Sequence, residues 1–192
     1  MPEFRKGLDS DREQIAECIA EAFKKDFSAI CKDVQIVFKA LENGIQTERF
    51  YVAAENETIV GVLAISDCYG RSVLTDSKAF RKHFGLVKGM IAAIVMKEEF
   101  GKQLEYPDTV GYIEFVAVLE NYRRRGITTQ LLSYAIANEK YSRYELDVTN
   151  INQGAINCYK KFGFTEYRRE KVSHAKQKGF SEKIYMKYET GY

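Results

Sequence analysis

Residues 110–118 read VGYIEFVAV, residues 119–126 read LENYRRRG and residues 127–138 read ITTQLLSYAIAN. The first run is nearly continuous in apolar character, as a central strand should be, and Glu114 is its one charge. The third run carries Ile127, Leu131, Tyr134, Ala135 and Asn138 at helical spacing. Between them lies a turn ending in Arg123-Arg124-Arg125-Gly126. A helix start leaves its first backbone N–H groups unpaired and bears partial positive charge, so it seats phosphate when a glycine lets the ligand approach. A solvated basic helix cap is the alternative reading of this segment alone. Neither G-x-x-x-x-G-K nor G-x-G-x-x-G is present.

Toward the amino terminus, Ser10-Asp11-Arg12-Glu13 has capping-box form, and Ile15, Cys18, Ile19, Ala22 and Phe23 follow at helical spacing. A second helix is expected over Ile30, Val34, Val37, Phe38 and Leu41, stopped by Asn43-Gly44. Arg49 to Ala54 and Thr58 to Ile65 are β-rich runs joined by a short polar connection, hence paired strands. Residues 67–108 mix polar and glycine-containing pieces with Leu86, Met90, Ala93 and Ile94 at helical spacing, which predicts one or two helices. Toward the carboxy terminus come a strand over Glu145 to Thr149, a helix over Gln153 to Phe162 closed by Gly163, and final strands over Phe164 to Arg168 and Phe180 to Tyr188. Alternating elements in the middle with antiparallel hairpins at both ends indicate a mixed-sheet α/β domain. A single domain over residues 1–192 is expected.

Bulk properties narrow the function classes. The chain has 192 residues, 45% apolar and 29% charged, ordinary globular composition that argues against disorder. A net charge of +2 gives no overall pull toward nucleic acid or an anionic membrane, although Cys158 to Lys187 is locally basic. Four cysteines without paired spacing and two histidines suggest neither a disulfide framework nor a metal site. No apolar stretch approaches the ~18 residues of a membrane span, and Met1 to Lys6 has no apolar run after its charges. The expectation is a cytoplasmic protein with no membrane partner.

The turn and helix start resemble a known family. Val118-Leu119-Glu120-Asn121-Tyr122-Arg123-Arg124-Arg125-Gly126-Ile127-Thr128 looks like the pyrophosphate-binding signature of GNAT acetyltransferases, Q/R-x-x-G-x-G/A after a strand ending in Val. Arg123 and Gly126 match; Thr128 departs, standing where the family has Gly or Ala. A second match follows in order: Asn152 to Phe164 (NQGAINCYKKFGF) is similar to the family's N-x-x-A-x-x-x-Y-x-x-x-G-F. Only residues 67–108 lack a counterpart, being longer than the usual connection. The resemblance implies a GNAT-like fold, a mostly antiparallel, splayed sheet flanked by helices, and acetyl-CoA as acyl donor with no metal. Backbone around Val116 and Val118 would bond the pantetheine arm, and amides from Arg124, Arg125, Gly126, Ile127, Thr128 and Thr129 would hold the pyrophosphate beside Arg123. Asn152 and Tyr159 would line the other side of the same cleft.

Acyl transfer requires a neutral amine and a protonated leaving thiolate. A lysine-like amine is neutral about once in 2,500 at pH 7, an α-amine roughly one time in ten. Glu114, a carboxylate within an apolar strand, is the candidate base, directly or through water. A solvent-facing side chain or one paired to an arginine is its alternative. Tyr159 is the candidate acid for the departing sulfur. Cys158 is expected to be a buried structural thiol, turned about 100° from Tyr159; His83 reads as a surface helix residue and His174 as a hairpin-loop residue. The implied function is N-acyl transfer to an amine of a small molecule or peptide, by direct attack in a ternary complex. The alternative is a non-catalytic acyl-CoA-binding regulatory module. Nucleic-acid binding through the arginines is disfavoured because no recognition helix stands out, and a homodimer is compatible with everything above.

Overall fold

The computed structural model describes residues 2–27, 31–173, 175 and 179–191. Its strands are β1 (Glu3–Lys6), β2 (Phe50–Glu55), β3 (Thr58–Ser66), β4 (Val110–Val118), β5 (Arg143–Thr149), β6 (Thr165–Lys171) and β7 (Glu182–Glu189). Its helices are α1 (Arg12–Ala22), α2 (Lys24–Phe27), α3 (Val34–Leu41), α4 (Ser77–Phe84), α5 (Leu86–Phe100), α6 (Ile127–Asn138) and α7 (Gln153–Phe162). Among the described residues the strands form one seven-stranded sheet in the order β1-β2-β3-β4-β5-β7-β6. Only β4 and β5 run parallel; every other neighbouring pair is antiparallel. This is the mixed, mostly antiparallel sheet flanked by helices that the sequence predicts.

The parallel ladder is short. It pairs Val110 with Arg143, Gly111 with Tyr144 and Tyr112 with Glu145, and beyond Tyr112 the two strands part. From there to Val118 the edge of β4 that faces β5 has no ladder partner in β5. A bulge bends β4 within that stretch: Phe115 has φ +51° and, together with Val116, stands opposite the single residue Leu63. The bulge turns the Phe115 ring into a cluster with Phe23, Phe50 and Phe100, at centroid distances of 6.3, 6.5 and 4.8 Å.

Two apolar cores sandwich the sheet. On one face, Ile15, Ile19, Phe38 and Leu41 from α1 and α3, with Ala92, Ala93 and Met96 from α5, pack on Val52, Val62 and Ala64. On the other, Leu131, Leu132, Ile156 and Tyr159 from α6 and α7 pack on Leu63, Ile113, Leu146 and Ile184. The helix-covered face thus changes across the splay, and the part of the first face made by β5 to β7 carries polar and aromatic side chains instead.

Several elements differ from expectation. The capping box at Ser10 does not form: α1 begins at Arg12, and the Asp11 carboxylate turns back to accept from the Leu8 N–H at 2.8 Å and from Arg5. Charge pairing wins over capping there. β1 was not anticipated, because a four-residue edge strand with two half-buried side chains leaves too short a pattern. The second helix runs Val34–Leu41 with Asp33 accepting from Gln35 N at 2.9 Å; its expected start at Ile30 lies outside the described residues. Within 67–108 there are two helices, parted by Gly85 at φ +82°. They cross so closely at Gly89 that a Cβ there would lie 2.4 Å from the Phe80 carbonyl oxygen.

Candidate active site

The turn after β4 ends in two residues of left-handed backbone, Arg124 at φ +63° and Gly126 at φ +76°. The first intrahelical bond of α6 is Gln130 N–H to the Gly126 carbonyl at 3.1 Å, so the amides of Gly126, Ile127, Thr128 and Thr129 have no helical acceptor. Space is open above them, the nearest side-chain atom to a Cβ at Gly126 being Gln130 Nε2 at 3.8 Å. An anion fits this cradle, with Arg124 and Arg125 exposed beside it. Arg125 lies over the Tyr122 ring at 4.9 Å, while Arg123, also exposed, donates from Nε to the Val118 carbonyl at 3.0 Å. Arg123 therefore fixes the turn against the strand end.

The open edge of β4 leads from this cradle into the sheet. Val118 stands opposite Gly61, and the flanking bond runs from Leu119 N–H to the Val60 carbonyl at 2.9 Å. In an antiparallel ladder that pattern turns the N–H and C=O of Val118 away from β3, toward the splay, where the carbonyl accepts from Arg123 Nε. An extended chain carrying amides can add to such an edge as a further strand.

At the closed end of the splay, Tyr112 in β4 donates its hydroxyl to Asp147 in β5. Tyr112 belongs to the last ladder pair, and Asp147 lies two residues past its partner Glu145 on the same face. Asp147 also has Lys183 Nζ at 3.5 Å. Burial, reinforced by the Asp147 charge, pushes the Tyr112 phenol up, so it stays a donor. Tyr106 stacks on Tyr112 with centroids 5.6 Å apart, and Tyr167 donates to Glu145. Tyr159 approaches from the opposite face: it is 7% exposed, its ring packs on Phe164 at 5.8 Å, and burial raises its phenol, with Cys158 and Asp147 adding to the shift. The Tyr112–Asp147 pair thus stands at the closed end of the opening on the first face, and Tyr159 is buried in the core of the opposite face.

Glu114 is on the first face, one strand repeat past Tyr112, and its carboxylate is fully engaged. Arg71 Nη2 pairs with one oxygen at 2.6 Å; Ser66 Oγ, Ser72 Oγ and Ser72 N–H reach the other. Of the two alternatives left open by the sequence, pairing to an arginine is the one observed. Arg71 also donates to the Lys102 carbonyl at 3.1 Å, so the cluster anchors the segment that carries Tyr106.

The sequence profile of the Acetyltransferase (GNAT) family matches residues 13–164. The chain belongs to the GNAT acetyltransferase family. Among curated proteins, an N-alpha-acetyltransferase of Sulfurisphaera tokodaii is 41% identical over 91 residues, which cover 43% of this chain and 54% of that protein. The matched stretch therefore spans about half the length of that relative. Among solved structures, an N-acetyltransferase from Staphylococcus aureus Mu50 superposes with a TM-score of 0.64 at 18% identity, over 97% of this chain and all of that one. A ribosomal-protein-alanine N-acetyltransferase from Brucella melitensis gives a TM-score of 0.61 at 16% identity, covering 98% and 99% of the two chains. At these identities the structural likeness speaks for the GNAT fold.

The remaining side chains singled out from the sequence lie at separate places in the fold. Asn152 caps α7, its side-chain oxygen accepting from Ala155 N at 3.2 Å. Cys158 is half-buried and lies 3.9 Å from Thr129 Oγ1; it is not the fully buried thiol expected, because α7 turns that face toward the start of α6. Cys18 is the buried one, and burial pushes its thiol up to about 12. His83 lies in the last turn of α4, half-buried; His174 lies outside the described residues. Sequence reasoning missed Tyr112 and Asp147. The available signal was the two-residue period of β5, which puts Glu145 and Asp147 on one face against Tyr144, Leu146 and Val148 on the other. No described helix is long and apolar enough to cross a membrane, and no described group of His, Cys, Asp or Glu could hold a metal ion.

Proposed function

We propose that this GNAT chain is one acyltransferase domain that moves an acetyl group from acetyl-CoA to an α-amine, such as the amino terminus of a peptide, by direct attack in a ternary complex. One observation carries the reading: the parting of β4 and β5 has the unpaired amides at the start of α6 at one end and the Tyr112–Asp147 pair at the other. The amides of Gly126 to Thr129, with Arg124 and Arg125 beside them, would receive the pyrophosphate. The open edge at Val116 and Val118 would bond the pantetheine arm, and Asn152 would border it across the cleft.

Within this reading, Asp147 takes the proton that the amine nitrogen releases as the N–C bond forms. It is half-buried and has two partners, whereas Glu114 has four donors on its carboxylate. We therefore assign the base to Asp147 and a structural part to Glu114. As the C–S bond breaks, the electron pair stays on sulfur, where Tyr159 offers a hydrogen bond. A raised phenol facing a thiol with a reference pKa of about 8.5 donates without giving up its proton fully. An α-amine suits an aspartate base because roughly one in ten is already neutral at pH 7. The names of the Sulfurisphaera tokodaii and Brucella melitensis relatives point the same way.

The test is thiol release from acetyl-CoA across an amine panel: short peptides with free amino termini, N-blocked peptides containing lysine, and aliphatic polyamines. Release dependent on the free amino terminus is expected. Release only with side-chain amines would overturn the acceptor class, and CoA binding with no amine-dependent release would leave a binding module.

A further inference from the structure

Glu145 is a buried carboxylate for which the acyl-transfer steps have no use. It is 4% exposed and stands opposite Tyr112 in the last ladder pair, on the same face as Asp147. One of its oxygens accepts from the Tyr167 hydroxyl; the other lies 3.0 Å from Arg143 Nε. That Nε is buried and makes no aligned hydrogen bond, so the cation balances the charge of Glu145 while the carboxylate is turned to the phenol. The Tyr106 hydroxyl meets Glu145 and Tyr167 as well, and burial, with the Glu145 charge, pushes the Tyr106 phenol up to about 12.

Two side chains from distant parts of the fold converge on this one carboxylate. Tyr167 belongs to β6, which β7 separates from β5. It is the extra residue of a bulge: Glu166 stands opposite Met186 and Arg168 opposite Tyr185, with Tyr167 between them outside the register. The bulge lets two consecutive residues reach one face, so that Arg168 lies over the Tyr185 ring at 3.8 Å while Tyr167 crosses β7 to Glu145. Bulges beside active sites re-aim a side chain, and here the side chain so aimed is Tyr167. Tyr106 comes from the other direction, on the connection between α5 and β4, and its ring stacks on Tyr112 with 22° between the planes. Tyr112 in turn holds Asp147.

We propose that Glu145 is a positioning residue for acyl transfer: by holding the hydroxyls of Tyr167 and Tyr106 it keeps the Tyr106 ring on Tyr112, and so keeps the Tyr112 hydroxyl on Asp147. This role rests on the reading of Asp147 as the base. Residues 101–109 form neither helix nor strand, so a ring carried by them and held by stacking alone is free to slide. A hydroxyl tied to a buried, ionised acceptor is not, because leaving would strip that charge of a donor. Glu145 touches neither amine nor thioester and acts through Tyr112.

The test joins kinetics to a direct view of Tyr112. Glu145→Gln and Tyr167→Phe should each lower kcat by about tenfold, within the roughly 10²-fold that a small misplacement can cost. The KM for acetyl-CoA and the CoA-induced rise in Tm should stay as in the parent. Tyr167 is 42% exposed, so Tyr167→Phe folds even where Glu145→Gln, with Arg143 left uncompensated, does not. In an Asp147→Asn background the same changes should cost less than about twofold, because a residue that acts through Asp147 has nothing left to position. The hydroxyl proton of Tyr112, identified by its loss in Tyr112→Phe, should give a slowly exchanging NMR signal in the parent and disappear in both variants. Losses that multiply in full with Asp147→Asn mark a merely structural role and overturn the proposal, as does an unmoved Tyr112 signal or unchanged turnover. A raised KM for the amine at constant kcat places Tyr167 on the acceptor and overturns it too. A parent with no amine-dependent thiol release brings down the transferase reading itself, whereas an active parent with any of those variant results brings down the positioning role alone.

Discussion

The hydroxyl of Tyr112 reaches Asp147 across the point where β4 and β5 separate, joining the last ladder residue of one strand to a carboxylate that has already left the ladder. If Asp147 accepts the amine proton, Asp147→Asn keeps the size and the contact with Tyr112 but removes the basic oxygen. Turnover should fall by about 10²-fold or more, with CoA binding retained. Steady-state rates at saturating acetyl-CoA and amine check this. Unchanged turnover would return the proton to water.

Tyr159→Phe keeps the ring against Phe164 and removes the hydroxyl. Turnover should drop by roughly 10²-fold, at the low end of general acid contributions, while CoA affinity changes little. A loss confined to the KM for the amine would place the hydroxyl on the acceptor instead.

Gly126→Glu puts bulk and negative charge at a left-handed position beside the free amides. In the parent protein, CoA at 100 times its Kd adds about 2.7 kcal/mol of stability, several degrees in Tm for a chain of this size. That shift should vanish in the variant. Thermal melts with and without CoA decide it, and a full shift in folded Gly126→Glu would contradict the cradle.

Glu114 and Arg71 form an ion pair in which both side chains are under a tenth exposed. Removing one member leaves the other buried and unpaired, which costs about 3–5 kcal/mol. Glu114→Gln or Arg71→Met should therefore lower Tm markedly, and the double variant by less than the sum. A Glu114→Gln protein with parental Tm and turnover reduced 10²-fold would restore the catalytic assignment to Glu114.

The legible parts of the fold were those with long or strongly patterned signals. The apolar run of β4, the turn into α6 and the glycine-closed α7 sit where their periodicity puts them. β1 escaped because four residues cannot display a period against solvent, and Ser10 misled because a cap competes with the Arg5–Asp11 pair that only the folded chain brings together. The site was legible where it depends on backbone conformation, since glycine announces left-handed turns. It was opaque where it depends on neighbours: Glu114 looks like a reactive group in isolation, and its neutralising arginine lies 43 positions earlier in the chain. Tyr112 looks like core, and only the register of β5 reveals its carboxylate partner.

Among the described residues, three ladder pairs, with the Tyr112–Asp147 hydrogen bond just past them, join the β1–β4 half of the sheet to the β5–β7 half. The ladder is therefore a short seam, reinforced at its end by one side-chain hydrogen bond. Tension applied between Lys6 and Glu189 should tear there first, and amide protons of Val110 to Tyr112 should exchange faster than those of β3, whose ladders continue on both sides. A ligand arm laid along Val116 and Val118 would lengthen the seam by lacing its open half. Deuterium uptake at β4 and β5 with and without CoA would then read out how far a small molecule can serve as a temporary piece of backbone.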